Sequence, residues 1–192
     1  IEQTVEEFQK WAGKKWTRTN VLVLDKHVTI YQRREAIKRG YNNVYIMSHE
    51  AMSYKQIKEA LAYRKWAATF VDEASRFRNA SARTRTLSLL AKRSATRYAL
   101  TGNLVVKTPA DAFYIMNFVN PGLWGTNNRQ TFVTEYCELG GYMGNQPVDV
   151  RADRLPQLQR LLDENRIRCE LRDVRDLPER ELKVYRVDMM PK

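Results

Sequence analysis

Ala67-Ala-Thr-Phe-Val71, followed at once by Asp72-Glu73-Ala-Ser75, is the stretch on which the fold turns. An uncharged run that ends in Phe70 and Val71 has the length and character of a strand buried on both faces, and two carboxylates follow directly at its carboxyl end. The same pattern recurs on either side. Asn20-Val-Leu-Val-Leu-Asp25 and Asn43-Val-Tyr-Ile-Met47 are short apolar runs upstream, and Tyr98-Ala-Leu-Thr101 follows downstream. Helical spacing fills the intervals. Val28 to Arg39 is periodic and stopped by Gly40, Tyr54 to Arg64 carries Ile57, Ala60 and Leu61 on one face, and Asn79 to Ala95 carries Leu87, Leu90 and Ala91. Strands alternating with helices imply crossover connections, hence an α/β fold with a parallel sheet flanked by helices. Such sheets gather function at the carboxyl ends of their strands, so the residues after Met47, Val71 and Leu100 become the candidates.

Outside this alternation, Ile1 to Ala12 has helical spacing through Val5 and Phe8 and is closed by Gly13. After Gly102 the alternation stops. The spacing predicts helices over 110–119 and 129–138, a glycine-rich loop over 140–145, an amphipathic helix over 155–165 with Leu158, Leu161 and Leu162 apolar, and a strand over 180–190. The expected organisation is therefore a sheet-containing unit over 1–120 and a helical C-terminal extension over 121–192. Ile1 stands where a start methionine would, and the sequence is taken as a piece of a longer protein.

The chain has 192 residues, enough for one domain. Lys and Arg number 33 against 22 Asp and Glu, a formal charge of +11. A hydrophobic fraction of 43% excludes a disordered tail. No apolar run is long enough for a transmembrane helix, and there is no signal-peptide pattern. Two cysteines do not make a disulfide scaffold. The expectation is a soluble, intracellular domain, cytoplasmic or, in a eukaryote, nuclear. The charge favours an anionic partner. Its positives recur along the chain at Arg33-Arg34, Lys38-Arg39, Arg76, Arg78, Arg83, Arg85, Lys92-Arg93 and Arg97, as contact with a phosphate backbone requires. A solvated basic face is the bland alternative. No helix pairs a Lys-rich face with a Trp/Phe face, so a membrane is not the expected partner.

Asp72-Glu73 carries the chemistry. At a strand's carboxyl end the first carboxylate can hold Mg²⁺ through its waters and the second can orient or deprotonate an attacking water. Asp163-Glu164 is the same dipeptide inside an amphipathic helix, where it is solvated charge; strand context separates the two. Thr101-Gly102 taken alone is a turn. His27, His49, Cys137 and Cys169 have no zinc-ligand spacing. No Ser-His-Asp or Cys-His arrangement is readable. Cys137 reads as a core thiol, and Trp11, Trp66 and Trp124 as packing residues rather than base-stacking ones.

In order along the chain, several segments resemble the Swi/Snf-type ATPases of helicase superfamily two. Phe70-Val-Asp-Glu-Ala-Ser-Arg-Phe-Arg-Asn79 is similar to that family's Asp-Glu-Ala-His box with its following Arg-x-Lys-Asn. Arg97-Tyr-Ala-Leu-Thr-Gly102 is similar to its Leu-Thr-Gly-Thr-Pro motif, and Asp111-Ala-Phe-Tyr-Ile-Met-Asn-Phe-Val-Asn-Pro-Gly122 to the helix that ends in Asn-Phe-Leu-Asn-Pro-Gly. Val44-Tyr-Ile-Met-Ser-His-Glu-Ala-Met52, Val5-Glu-Glu-Phe-Gln-Lys-Trp11 and Arg168-Cys-Glu-Leu-Arg-Asp-Val-Arg-Asp-Leu-Pro178 with Val184-Tyr-Arg-Val-Asp-Met189 extend the likeness over nearly the whole chain. The resemblance implies the first RecA-like lobe of a DNA-dependent ATPase. It implies that Asp72 coordinates Mg²⁺ and that Glu73 positions the hydrolytic water. Ser48 and His49 would contact the nucleic-acid backbone, with Arg76 and Arg78 near phosphates. Thr101 and Gly102 would couple nucleotide state to nucleic-acid contact. ATP and Mg²⁺ are the implied cofactors; duplex DNA and a second RecA-like lobe are the implied partners.

The sequence also departs from that pattern. No Gly-x-x-x-x-Gly-Lys-Ser/Thr occurs, since Gly13-Lys14-Lys15 is followed by Trp16 and Gly140-Gly141-Tyr142-Met143-Gly144 has no lysine. The P-loop is expected before Ile1 and the second lobe after Lys192, so these residues alone are expected to hydrolyse ATP negligibly. Ser75 replaces the box histidine, and Asn103-Leu104 replaces Thr-Pro. Two functions follow. One is part of a translocase that moves along or remodels DNA. The alternative is a degenerate helicase-like module that binds nucleic acid or protein without hydrolysis.

Overall fold

A computed structural model describes residues 6, 7, 10, 21–24, 27–41 and 44–169 of the chain. The predicted helix over 1–12 lies largely outside these residues, as do the predicted strand over 180–190 and Trp11; Glu6, Glu7 and Lys10 are helical.

Two parallel crossover units carry the fold. In the first, β1 (Val21–Leu24) leads through α1 (Ile30–Arg39) to β2 (Val44–Met47), with Val21 opposite Val44 and Leu24 opposite Met47. In the second, β3 (Trp66–Val71) leads through α3 (Ala82–Arg93) to β4 (Ser94–Ala99), with Phe70 opposite Tyr98 and Val71 opposite Ala99. Between the units run a 3₁₀ turn, His49–Ser53, and α2 (Lys55–Tyr63). A second 3₁₀ turn, Ala74–Phe77, follows β3.

Local sequence sets the helix boundaries. Thr29 caps α1: its hydroxyl accepts from Gln32 N (3.2 Å), while Thr29 N donates to Gln32 Oε1 (3.0 Å). Gly40 closes the same helix at φ 72°. Ser81 caps α3 by accepting from Thr84 N at 3.1 Å.

Leu24, Ile37, Ile57, Phe77, Leu87 and Phe118 form one buried cluster between the two crossover units. Phe113, Trp124, Phe132, Tyr136, Cys137 and Leu158 form a second. The helix α4 (Ala112–Val119) joins them, with Ile115 and Phe118 in the first cluster and Phe113 and Met116 in the second. Seven of its eight residues are apolar or aromatic, Asn117 being the exception, in keeping with burial on both sides. Trp124 is buried and donates its indole N–H to Phe113 O, at 3.2 Å.

Beyond α4 lie α5 (Arg129–Tyr136), β5 (Cys137–Gly140), β6 (Gln146–Val150) and α6 (Leu155–Asp163). The extension expected to be helical therefore contains an antiparallel hairpin, β5–β6, built around the glycine-rich loop. The residues that open β5, Cys137 and Glu138, continue the helical spacing of α5, so periodicity ran them together. Pairing of Cys137 with Val150 ends the helix at Tyr136. The boundary between α3 and β4 moves for a similar reason. Ser94-Ala-Thr-Arg lacks an apolar run, and the spacing predicts Ser94 and Ala95 as the end of the helix, yet Ser94 pairs opposite Trp66 and starts the strand there. The same pairing ends β4 at Ala99, so Leu100 and Thr101 fall beyond the strand.

Several arginines work inside the fold. Arg97 donates to the carbonyls of Ser94 (2.7 Å), Ala91 (3.2 Å) and Val119 (3.0 Å). Arg33 is buried and donates to Val28 O at 2.7 Å. Arg64 donates to Ile37 O and Tyr45 Oη, and its guanidinium lies 5.7 and 5.5 Å from the ring centres of Tyr45 and Trp66. It packs where a side chain on Gly40 would project. Gly40→Ala would put a Cβ into the guanidinium at a left-handed backbone position. It is expected to lower unfolding stability by at least about 1–2 kcal/mol, read as a fall in the urea midpoint.

Candidate functional site

The carboxyl ends of β2, β3 and β4 meet, and backbone hydrogen bonds fix how. Leu100 N donates to Val71 O at 2.8 Å, and Ala74 N donates to Leu100 O at 2.9 Å. These two bonds carry the β3–β4 pairing past the ends of both strands. They set the turn of Asp72 and Glu73 beside the segment leading into Thr101 and Gly102. On the other side, His49 Nε2 lies 2.8 Å from Asp72 O. A carbonyl can only accept, so Nε2–H is the donor. The same imidazole packs edge-on against Phe77, with centroids 5.2 Å apart. His49 thus ties the turn after β2 to the turn after β3.

Glu73 is the one non-glycine residue with positive φ among the described residues, at φ 45° and ψ 47°. Asp72 Oδ1 accepts from Glu73 N at 2.9 Å, which leaves Oδ2 without a hydrogen bond among the described residues. Both carboxylates are exposed. The left-handed backbone turns the chain abruptly out of β3 and starts the following 3₁₀ turn. That conformation costs a residue with a Cβ about 1 kcal/mol or more.

Of the other residues singled out by sequence, Ser48 is half-buried and accepts from Ala51 N at 3.4 Å, capping the His49–Ser53 turn. Thr101 Oγ1 donates to Asn103 O (3.0 Å) and accepts from Asn103 N (3.3 Å), a local loop that makes no side-chain bond to Asp72 or Glu73. Gly102 is exposed with open space around it. Arg76 reaches Glu50 Oε1 at 3.5 Å, and Arg83 reaches the same oxygen at 3.9 Å. Glu50 is held below the usual carboxylate range, chiefly by a hydrogen bond from its own backbone N–H. Burial opposes that shift, and Ser48, His49 and Arg76 add to it. Glu50 and Arg83 were not singled out as site residues in the sequence, because they join the cluster only through tertiary contact.

Loop 103–108, after Thr101-Gly102, is anchored from below. Asp111 is buried and its Oδ2 accepts from the backbone N–H groups of Val106 (3.1 Å), Lys107 (2.7 Å) and Thr108 (3.4 Å). Three donors on one carboxylate oxygen fix the path of the loop.

The family of the chain follows from comparison. The SNF2-related domain profile covers residues 1–192. The chain belongs to the SNF2-related domain family. It is similar to the DNA repair and recombination protein RAD54B of Homo sapiens, with 31% identity over 123 residues, 63% of this chain and 12% of that protein. It is also similar to Protein CHROMATIN REMODELING 5 of Arabidopsis thaliana, with 25% identity over 135 residues, 70% of this chain and 7% of that protein. The chain therefore spans a small part of the length of either relative. Among solved structures, the Sulfolobus solfataricus SWI2/SNF2 ATPase core in complex with dsDNA superposes at a TM-score of 0.64 and 20% identity, over 93% of this chain and 34% of that one. The expected Swi/Snf-type, helicase-superfamily-two relationship and the RecA-like α/β fold are both met.

The oxygen donors at the turn suit Mg²⁺, which binds proteins through one or two carboxylates and otherwise keeps waters or substrate phosphates. Asp72 and Glu73 are exposed, and Asp72 Oδ2 and both Glu73 oxygens accept no hydrogen bond among the described residues. No group of three or more His, Cys, Asp or Glu side chains that could enclose a metal occurs among the described residues. No described helix is long and apolar enough to cross a membrane.

Two measurements check this description. Glu73→Gly removes the Cβ from a left-handed position and is expected to raise stability by about 1 kcal/mol, read by urea unfolding, whereas Glu73→Gln is expected to leave it unchanged. The Cys137 thiol is pushed up to about 11, first by burial. It stays protonated in the folded chain until pH approaches that value, while Cys169 is exposed. At pH 8 a thiol reagent is expected to label Cys169 rapidly and Cys137 only after denaturation.

Proposed function

We propose that this chain is part of an ATP-driven motor that acts on duplex DNA, and that it supplies the acidic half of the nucleotide site. The observation that carries the reading is the placement of Asp72 and Glu73. Both are exposed at the carboxyl end of β3, between the two backbone bonds that Val71 and Ala74 make with Leu100, and the Asp72 carbonyl accepts a further bond from His49. Membership of the SNF2-related family supports ATP and Mg²⁺ as the cofactors, and the dsDNA in the related archaeal structure supports duplex DNA as the partner.

In this reading Asp72 holds Mg²⁺ through its waters, with Oδ1 steadied by Glu73 N. When bound, the ion neutralises charge on the phosphates. Glu73 orients the attacking water, and its strained turn keeps the carboxylate off the path of the 3₁₀ segment that follows. His49 positions Asp72 by its bond to the carbonyl, a tie made from β2 while Ser75 stands at the box position. Thr101 and Gly102, which follow Leu100 directly, sense the state of this turn and pass it to the loop anchored by Asp111. Residues 1–120 form the lobe proper and residues 121–192 lead away from it. The phosphate-cradling lysine and the arginines of a facing lobe lie in other parts of the motor.

In the complete protein, Glu73→Gln is expected to reduce DNA-stimulated ATP turnover by about 10²–10⁴-fold and to leave nucleotide binding largely intact. Turnover by the variant equal to that of the parent removes Glu73 from the mechanism. DNA binding by a parent protein that never hydrolyses ATP selects the non-hydrolysing module instead.

A further inference from the structure

The 3₁₀ turn after β3 and the first turn of α3 enclose an open cleft of about 320 Å³ lined by Ser75, Arg76, Arg78, Asn79 and Arg83. Every lining residue carries a polar side chain: three arginines, a serine and an asparagine. The only carboxylate ion-paired to these arginines among the described residues is Glu50, which approaches from the turn after β2. One of its oxygens serves two cations at 3.5 and 3.9 Å, longer than a charge-assisted hydrogen bond of roughly 2.7–2.9 Å. Arg78 makes no ion pair among the described residues. Three positive charges thus face one negative charge, an excess of two.

Glu50 is poorly suited to be the final partner of this cluster. It is exposed, it engages Arg76 and Arg83 through single nitrogens, and pairs of this kind contribute little. A phosphate group presents several acceptor oxygens at spacings that match the planar fork of arginine. It could engage all three guanidinium groups where one carboxylate oxygen reaches two.

We propose that this cleft binds a phosphate group, and that Glu50 is the resident anion that competes for it. With the cleft empty, Glu50 sits on Arg76 and Arg83 and keeps the cluster ordered. A phosphate that enters takes over both cations together with Arg78, and Glu50 turns outward to solvent. Glu50 is adjacent in the chain to His49, which holds the Asp72 carbonyl, so the exchange takes place beside the carboxylate turn. The cleft is argued from its own side chains. That a DNA backbone supplies the phosphate rests on the function proposed above; a small phosphate compound has the same chemistry.

Pyrophosphate titrated into the 192-residue chain, followed by the arginine Nε–H resonances in ¹H–¹⁵N spectra, tests the cleft without DNA or hydrolysis. Saturable shifts are expected at Arg76, Arg78 and Arg83. Glu50→Gln is expected to tighten binding by about two- to fivefold, the equivalent of removing one weak competing pair. Arg78→Gln is expected to weaken it, and Arg78→Lys, which keeps the charge without the fork, to fall between; thermal unfolding checks that each variant folds. Non-saturable shifts, or a Glu50→Gln chain that binds no more tightly than the parent, overturn the proposal. A short DNA duplex is then added to the pyrophosphate complex. Displacement assigns the cleft to a DNA phosphate. Retained pyrophosphate assigns it to a small phosphate compound, and the cleft stands while DNA contact at this point of the motor fails.

Discussion

Everything at the candidate site depends on the parallel pairing of β3 with β4 and its continuation past their ends. The bonds Leu100 N to Val71 O and Ala74 N to Leu100 O leave Asp72 and Glu73 no freedom to follow the strand direction. The chain must turn, and it does so through a left-handed Glu73. A residue with a Cβ adopts that backbone only when the surroundings over-determine it. Here they do: the β3–β4 bonds hold one side, His49 holds the Asp72 carbonyl on another, and Ala74 and Phe77 are buried immediately afterwards.

Two groups of arginines among the described residues have contrasting roles. Arg33, Arg64 and Arg97 are spent inside the fold, where each serves backbone carbonyls. Arg97 shows the reason. The last turn of α3 and the end of α4 leave carbonyls without intrahelical donors, and one guanidinium serves both ends together with Ser94 O. Arg76, Arg78 and Arg83 belong to the second group, gathered beside the carboxylate turn around a single Glu50. A net charge of +11 is therefore not a measure of how much surface faces a polyanion. What matters is which cations lack a carbonyl or carboxylate of their own.

The two buried clusters share α4, and this shared helix joins them. Ile115 and Phe118 fill the space between the crossover units, while Phe113 and Met116 meet Trp124, Phe132 and Leu158. Asp111, at the start of the same helix, ties the loop after Thr101-Gly102 through three backbone N–H groups. A displacement of that loop therefore bears directly on the helix that both clusters share.

The alternation of strand and helix, and the placing of Asp72-Glu73 at a strand's carboxyl end, were legible in the amino-acid sequence. Both rest on local signals: apolar runs, 3.6-residue periodicity and Gly40 as a stop. The Swi/Snf likeness was legible for the same reason, since its motifs are contiguous. Tertiary structure alone decided the rest. Ser94 entered a strand because Trp66 lies opposite it, and Cys137 left a helix because Val150 does. The left-handed Glu73, the bond from His49 and the meeting of Glu50 with Arg76 and Arg83 join residues up to 33 positions apart in sequence. No window along the chain contains such pairings, because hydrogen bonds and ion pairs between separate elements form only once packing has brought those elements together.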